Sequence, residues 1–321
     1  MTIGAVDIGG TKIAVGMVDG DGKVLARTEA ATEPNDYASG IEAISRMLRE
    51  TARHAGVEVT GIGIGSTGPV DPIKGEFGDV DFLPGWRGQG PVRDLERIFK
   101  VHAALENDGD AAALGEAAWG AGRNRSRLIY VTVGTGIGGG IILDGQLYRG
   151  VDGAHPEVGH QVIDPAGPPC TCGFRGCWES LATGPAMVAW FERNASSDGP
   201  QLHDPKCNDP QPHGITAKRI CELAAEGDEL ARRTVEHESY YLGLGLANLI
   251  NLFTPDAIVL SGSVMKSASL FLDRIREVIR SGCRFVPAEK ADLMLASLGE
   301  DANLIGAARV WHFRYGGAQS D

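Results

Sequence analysis

The residues of this chain that could do chemistry concentrate between His155 and Glu179, in HPEVGH, a short connector and CTCGFRGCWE. Four candidate metal ligands lie in this stretch: His160, Cys170, Cys172 and Cys177. Three thiolates and one imidazole can form a closed tetrahedral zinc site, which leaves no position for a catalytic water. The spacing therefore predicts a structural zinc ion.

Two carboxylates flank the candidate metal ligands, Glu157 within HPEVGH and Glu179 after the last cysteine. A metal site that only stabilises the fold has no need of acidic residues at these positions. One interpretation is a structural staple alone. The other is that the metal orders a loop in which Glu157, His160 and Glu179 converge on a polar ligand.

The composition limits the class of protein. The chain has 321 residues and a net charge of −12. The length suggests about two domains, and the acidic charge argues against a nucleic-acid partner, because phosphate binding relies on clustered Lys and Arg. The start, MTIGAVDIGG, lacks the features of a secretory signal, and no apolar run approaches the ~20 residues that span a bilayer. Six cysteines, three of them in one knuckle, favour a reducing compartment, so we expect a cytoplasmic protein without a membrane partner.

Short β-rich runs alternate with amphipathic runs, which predicts an α/β fold. The predicted strands are 3–7, 12–18, 23–30, 61–65, 101–106, 128–133, 257–260 and 292–296. The predicted helices are 37–55, 92–99, 109–119, 184–193, 216–226, 228–253 and 303–313. Segment 194–214 reads as a surface loop, in which Cys207 and His213 are too few ligands to indicate a second metal site.

A glycine turn occurs twice with the same spacing. Its two copies are Gly10, Thr11, Ile13, Gly16 and Gly134, Thr135, Ile137, Gly140. Each copy lies between two β-rich runs. A chance match in glycine-rich sequence is one explanation, but the repeat favours a duplicated domain with a cleft between the copies.

Both glycine turns could hold phosphate. Glycines let backbone N–H groups approach a phosphate, and Thr11 adds a hydroxyl donor. Neither turn is a Walker loop, and the strand that follows each one does not fit a dinucleotide fingerprint. Either turn alone could be only a tight hairpin, whereas two copies across one cleft suit a nucleoside triphosphate.

Asp108 follows a predicted strand and precedes a predicted helix, in the sequence Glu106-Asn107-Asp108. An aspartate in this position can be a helix cap. It can also be a general base that accepts a proton from a sugar hydroxyl. The sequence pattern does not separate the two roles, and one residue could fill both.

Together these motifs resemble the ROK family of sugar kinases, repressors and open reading frames. The similarity covers essentially the full chain, through DIGGTK, GSTGPVD, LPGW, ENDGDAAALGE, GTGIGGG, HPEVGH and CTCGFRGCWE. The resemblance implies a duplicated actin-like, ribonuclease-H-like ATPase fold with two domains around a central cleft. We expect an N-terminal domain over 1–116, with a C-terminal helix at about 303–321 packing back on it, and a C-terminal domain over 117–302.

The resemblance also implies roles for individual residues. Asp108 would be the catalytic base. Sugar hydroxyls would be held by Gly68, Asn107, Asp108, Glu157, His160 and Glu179. Nucleotide phosphates and the nucleoside would lie near Asp7, Gly9, Gly10, Thr11, Lys12, Gly134, Thr135, Gly136 and Gly262. The implied cofactors are a structural Zn²⁺ on the four ligands above and Mg²⁺ with ATP.

The expected activity is transfer of the ATP γ-phosphoryl group to the 6-hydroxyl of a hexose, with glucose first. Fructose, mannose, N-acetylglucosamine and N-acetylmannosamine stay open as acceptors, and polyphosphate as a donor. Phe82 stands where many glucokinase-like relatives have asparagine, and His155-Pro156 also occurs in fructokinase-like relatives. Both departures weaken an inference about the sugar.

A sugar-responsive ROK repressor lacking its DNA-binding domain is the less expected alternative. Such repressors carry an added N-terminal helix-turn-helix domain, whereas the first predicted strand here begins at Ile3. The resemblance further implies a homodimer or homotetramer, with a hexose and ATP as the small-molecule partners.

Overall fold

A computed structural model of the protein describes residues 1–195 and 214–316. Its strands are β1 (Ile3–Ile8), β2 (Lys12–Val18), β3 (Val24–Ala31), β4 (Gly61–Ser66), β5 (Val70–Asp71), β6 (Glu76–Phe77), β7 (Ala103–Asn107), β8 (Leu128–Val133), β9 (Ile137–Leu143), β10 (Gln146–Leu147), β11 (Ala257–Ser261) and β12 (Asp292–Leu295). Its α-helices are α1 (Tyr37–Ala55), α2 (Pro91–Phe99), α3 (Asp108–Trp119), α4 (Trp178–Leu181), α5 (Gly184–Asn194), α6 (Ala217–Glu226), α7 (Glu229–Phe253), α8 (Leu272–Gly282) and α9 (Ala302–Tyr315). All the predicted strands and helices given above are present, with ends within two residues of those expected.

Two five-stranded sheets have the same strand order. The first is β3-β2-β1-β4-β7 and the second is β10-β9-β8-β11-β12. In each sheet three strands form an antiparallel meander, and two further strands join in parallel. The repeated topology confirms the duplicated α/β fold that the paired glycine turns predicted.

The parallel strands of the first sheet end in register. Ile8 of β1 lies opposite Ser66 of β4, and Ser66 lies opposite Asn107 of β7. Ligands of open α/β sheets bind beyond the carboxyl ends of the parallel strands. The first glycine turn, the loop at Gly68 and Asp108 therefore share one edge of this sheet.

Helices α3 and α9 pack against each other between the two sheets. Helix α3 contacts β8 and β9, while α9 contacts β1 and β4. Their close approach depends on small residues. A Cβ atom at Gly115 of α3 would lie 3.0 Å from the Cα atom of Gly306 in α9. The C-terminal helix therefore packs on the first sheet, and the end of the predicted helix, 317–321, lies outside the described residues.

The outer faces of the sheets bury separate apolar clusters. Helix α1 packs on β2 and β3, and its Ile44 and Leu48 belong to the same cluster as Ile62 and Ile64 of β4. Helices α5 to α8 cover the second sheet, where Trp178 is fully buried. Within residues 1–195 and 214–316, no helix combines the length and the apolar character needed to cross a membrane.

Glu116 of α3 is buried and accepts hydrogen bonds from two separate segments. The N–H of Ala121 donates to its Oε2 atom at 2.7 Å, and those of Ser297 and Leu298 donate to Oε1 at 3.0 and 3.1 Å. Ala121 lies where the chain passes to the second sheet. Ser297 and Leu298 lie where it returns to α9. The carboxylate of Glu116 thus binds both of the segments that connect the two sheets.

Gly63 of β4 tests the packing of α9 on the first sheet. A Cβ atom there would lie 1.8 Å from the carbonyl oxygen of Ala307. Because backbone must move to admit it, Gly63→Ala should lower the free energy of unfolding by at least about 2 kcal/mol. In urea unfolding, the control Gly20→Ala, at a turn with no neighbour within 4 Å, should change it by less than about 0.5 kcal/mol. Equal midpoints for the two variants would contradict this packing.

Candidate active site

Asp108 is the first residue of α3, directly after the last parallel strand of the first sheet. Asn107 is the N-cap residue, and its Oδ1 atom accepts a hydrogen bond from the N–H of Gly109 at 2.8 Å. Asp108 Oδ1 accepts from the same N–H at 2.8 Å. Since Asn107 performs the capping, Asp108 is not required for it, and its other carboxylate oxygen is left for a ligand.

The surroundings of Asp108 suit a general base. Its side chain is exposed to solvent at the head of α3, but the protein packed around the carboxylate removes part of its hydrating water, which raises its pKa to about 6. The N–H of Gly109 and the nearby His155 lower this pKa, whereas the charges of Asp7 and Glu157 raise it. A base with a pKa close to the working pH is efficient at proton transfer.

Asp7 lies at the carboxyl end of β1 and is half-buried. Burial raises its pKa, and a hydrogen bond that Asn303 Nδ2 donates to Asp7 Oδ2 at 3.0 Å opposes that rise. Lys12 also lowers the pKa of Asp7, but its Nζ atom lies 3.0 Å from Glu29 Oε2 on the exposed surface. Asn303 could not be found from the sequence, because only the position of α9 brings it to β1.

Each glycine turn is closed by a backbone hydrogen bond, and the second turn is one residue shorter, with three residues between Val133 and Ile137 against four between Ile8 and Ile13. The N–H of Gly9 donates to the carbonyl of Lys12 at 2.9 Å, and the N–H of Gly134 donates to the carbonyl of Gly136 at 2.9 Å. In these turns Thr11 and Thr135 are exposed, and Gly9, Gly10, Gly134 and Gly136 are partly accessible.

Gly262 follows β11 and lies against the second glycine turn. Its φ angle is +96°, and a Cβ atom there would lie 2.2 Å from the carbonyl oxygen of Val133. A Cβ atom at Gly134 would lie 3.5 Å from Ser263 Oγ. Only glycine combines this φ angle with so close an approach, so the turn and the Gly262 segment form one surface.

The stretch that carries the candidate metal ligands packs directly on the second glycine turn. Glu179 Oε2 accepts a hydrogen bond from the N–H of Ile137 at 3.1 Å, and a Cβ atom at Gly136 would lie 2.5 Å from it. A Cβ atom at Gly159 would lie 2.1 Å from the carbonyl oxygen of Ile137. These contacts fix the positions of Glu179 and of the 158–160 turn relative to the second glycine turn, which is a candidate phosphate-binding loop.

The four predicted metal ligands converge. The donor atoms of His160, Cys170, Cys172 and Cys177 all lie within 4.8 Å of one another. His160 Nδ1 is 3.5 Å from Cys170 Sγ, and the other two Sγ atoms are also 3.5 Å apart. Tetrahedral zinc with Zn–S bonds of about 2.3 Å needs neighbouring ligand atoms roughly 3.5 to 3.8 Å apart. The donor set fits a structural zinc ion; Cys207 and His213 lie outside the described residues.

The predicted sugar-contacting residues fall into two groups. Gly68 adjoins Asn107, since a Cβ atom at Gly68 would lie 3.0 Å from Asn107 Nδ2. Glu157 belongs to the metal-ligand stretch, yet its charge acts on Asp108. The two groups therefore approach each other at the head of α3.

The family follows from a comparison of the whole chain with known proteins. The sequence model of the ROK family matches residues 3–314. The chain belongs to the ROK family. It is 36% identical over 315 residues to a glucokinase of Streptomyces coelicolor, with 96% of each chain covered.

Solved ROK structures share its fold. A ROK hexokinase from Thermus thermophilus has 32% identity and a TM-score of 0.83, covering 99% of this chain and 100% of the other. A ROK glucokinase from Streptomyces griseus, in complex with glucose and AMPPNP, has 34% identity and a TM-score of 0.78, covering 97% and 99%. The actin-like ATPase fold expected from the motifs is confirmed.

Two residues of this ROK site were not singled out from the sequence as members of it. His155 Nδ1 lies 2.9 Å from Asp110 Oδ2, and both side chains are largely buried. His155 was noted only for its occurrence in fructokinase-like relatives. Asp110 lies in the first turn of a predicted helix, where nothing in the sequence distinguishes it from a surface aspartate.

The capping role of Asn107 can be measured apart from ligand binding. Asn107→Ala removes the acceptor for the N–H of Gly109, so the free energy of unfolding should fall by about 1 kcal/mol. Asn107→Ser keeps a capping oxygen and should recover most of that loss in urea unfolding. Equal destabilisation by both substitutions would argue against the cap.

Proposed function

We propose that this ROK protein is an ATP-dependent hexose kinase that phosphorylates the 6-hydroxyl of glucose. The observation that carries the proposal is the position of Asp108, at the head of α3 and within reach of charges from both halves of the fold. The choice of glucose draws on relatives named as glucokinases. It also draws on the similar structure that holds glucose and AMPPNP.

In the proposed reaction, Asp108 accepts the proton of the sugar 6-hydroxyl as O6 attacks the γ-phosphorus. The new O6–P bond forms in line with the bond from the γ-phosphorus to the β–γ bridging oxygen, which breaks and leaves ADP. A pKa of about 6 for Asp108 leaves it ionised at neutral pH. Return of the proton to solvent then restores the base.

The sugar would be held from both sides. Asn107 and the loop at Gly68 adjoin Asp108 on one side. On the other side, Glu157, His160 and Glu179 supply two carboxylates and an imidazole, which suit hydroxyl groups as hydrogen-bond partners. We assign these residues to the sugar and regard fructose, mannose and the N-acetylated hexosamines as the competing acceptors.

The nucleotide would lie between the two glycine turns. From one half, Gly10 and Thr11 would offer N–H and hydroxyl donors, Gly9 would close the turn through its bond to the carbonyl of Lys12, and Lys12 begins the next strand. Gly134, Thr135, Gly136 and Gly262 face it from the other. Asp7 is the carboxylate that would approach the Mg²⁺ carried by ATP, which neutralises phosphate charge when bound.

The proposed zinc ion holds the sugar-binding stretch rather than taking part in the reaction. Four protein ligands leave no position for an activated water. With His160 Nδ1 facing the cysteines, the other ring nitrogen is available to a sugar hydroxyl. The cysteines need a reducing compartment to remain thiolates, so we place the enzyme in the cytoplasm. The domain limits near residues 116 and 302 and a homodimer or homotetramer stay predictions.

Asp108→Asn tests the assignment of the base. The amide keeps the size and polarity of the side chain but cannot accept the proton, so kcat should fall at least about 100-fold. Glucose affinity by calorimetry should stay within about threefold of wild type. Asp273→Asn, at a fully exposed position on α8, is the matched control and should leave kcat unchanged. Full turnover by Asp108→Asn would exclude Asp108 as the base.

Cys172→Ser tests the metal. Wild type should contain about one zinc ion per chain by elemental analysis, and the variant should lose it. Loss of the ordered imidazole and carboxylates should weaken glucose binding about tenfold or more, whereas AMPPNP affinity changes much less. Cys283→Ala, a buried cysteine outside the cluster, should keep its zinc. Wild type without zinc, or a zinc-free variant that binds glucose normally, would refute the role of this stretch.

A further inference from the structure

The proposed base lies among more negative than positive charge. Asp7 reaches it from β1 and Glu157 from the loop before the 158–160 turn, and both raise the pKa of Asp108. Tyr130 of β8 also lies near, and its own high pKa keeps it neutral. Lys12 acts on Asp7 but is paired with Glu29. Among the main charges that act on Asp108, His155 is the one that opposes the two carboxylates.

His155 is tied to the helix that carries Asp108. Its Nδ1 atom lies 2.9 Å from Asp110 Oδ2, and the two side chains are 12% and 2% exposed. Burial alone would lower the pKa of His155, but Asp110, with Glu157 and Asp108, raises it above its ordinary value. Among the described residues, the other carboxylate oxygen of Asp110 is buried without a hydrogen-bond partner, and His155 Nδ1 meets Asp110 at ion-pair distance rather than in hydrogen-bond alignment. The imidazole is therefore the charged group that this structure places against Asp110.

The two aspartates of α3, Asp108 and Asp110, project in different directions from the helix. Residues at i and i+2 point to different sides of a helix, so Asp110 and Asp108 do not face each other. Asp110 is not among the leading influences on the pKa of Asp108, whereas His155 is. Asp110 therefore contacts one side of the His155 imidazole, and the positive charge of that imidazole acts on Asp108.

We propose that the buried His155–Asp110 pair is a positioning device, which holds an imidazolium beside Asp108 so that the base enters the reaction as a carboxylate. The inference rests on the proposed function, because it assigns His155 and Asp110 to the same site as Asp108. Neither residue touches the reacting atoms in this role. They act through Asp108 and keep it ionised at the lower end of the physiological pH range.

The test is the pH dependence of kcat/KM for glucose with MgATP between pH 5 and 9. In wild type, kcat/KM should fall as pH drops through about 6, the pKa of Asp108. His155→Gln keeps a polar side chain but removes the charge, so the midpoint of this acidic limb should move up by about one unit. The result would be kcat/KM about fivefold lower at pH 6 and nearly unchanged at pH 8.

Further variants separate charge from structure. Asp110→Asn removes the partner that favours the imidazolium, so it should move the midpoint in the same direction, and it serves as the measurement if His155→Gln does not fold. His155→Lys keeps a positive charge at this position, so the midpoint of its acidic limb in the kcat/KM profile should lie closer to that of wild type than the midpoint of His155→Gln does. His54→Gln, at an exposed position on α1, is the matched control with an unchanged profile.

The outcomes also separate this inference from the proposed function. If Asp108→Asn is inactive but the acidic limbs of His155→Gln and Asp110→Asn coincide with that of wild type, the charge role is overturned and the base assignment stands. A uniform loss of kcat/KM at all pH values would likewise overturn it, because a purely structural defect lowers activity without moving the midpoint. If Asp108→Asn keeps full turnover, both are overturned.

Discussion

The site depends on the contact between α3 and α9. Glycine and alanine at this contact let the two helices lie between the sheets with almost no side-chain volume separating them, as the 3.0 Å approach at Gly115 shows. Because α9 also packs on β1 and β4, the helix pair fixes the head of α3 at the carboxyl ends of the parallel strands. A larger side chain at this contact would displace Asp108 rather than only loosen the core.

The position of the head of α3 also determines which charges lie near Asp108. Asp7, Asp108 and Glu157 come from distant parts of the chain, and their mutual repulsion would favour protonation of Asp108. A kinase that must also accept a polyanionic nucleotide gains from keeping such repulsion balanced. Asn303 at Asp7 and His155 near Asp108 provide neutral and positive partners for two of these carboxylates.

Much of the fold could be predicted from the sequence, because each element carries a local signal. The helix 37–55 has an apolar face and ends at Gly56 in the left-handed conformation, and the strands are apolar runs between glycine turns. The cluster of candidate metal ligands was predictable for the same reason, since three of its members lie within eight residues. The pairs Asn303–Asp7 and His155–Asp110 were not, because their members are far apart in sequence. Short strands such as β5 and β6 have too few residues to show a period.

The hydrogen bonds of Glu116 affect how the two sheets can move relative to each other. The chain joins its two halves through only two covalent connections among the described residues, one after α3 and one before α9, and both are bonded to this single carboxylate. Any change in the angle between the sheets must therefore bend both connections about nearly the same point. Such a joint would permit rotation and resist sliding, so in a rotation about it the two glycine turns would keep their alignment.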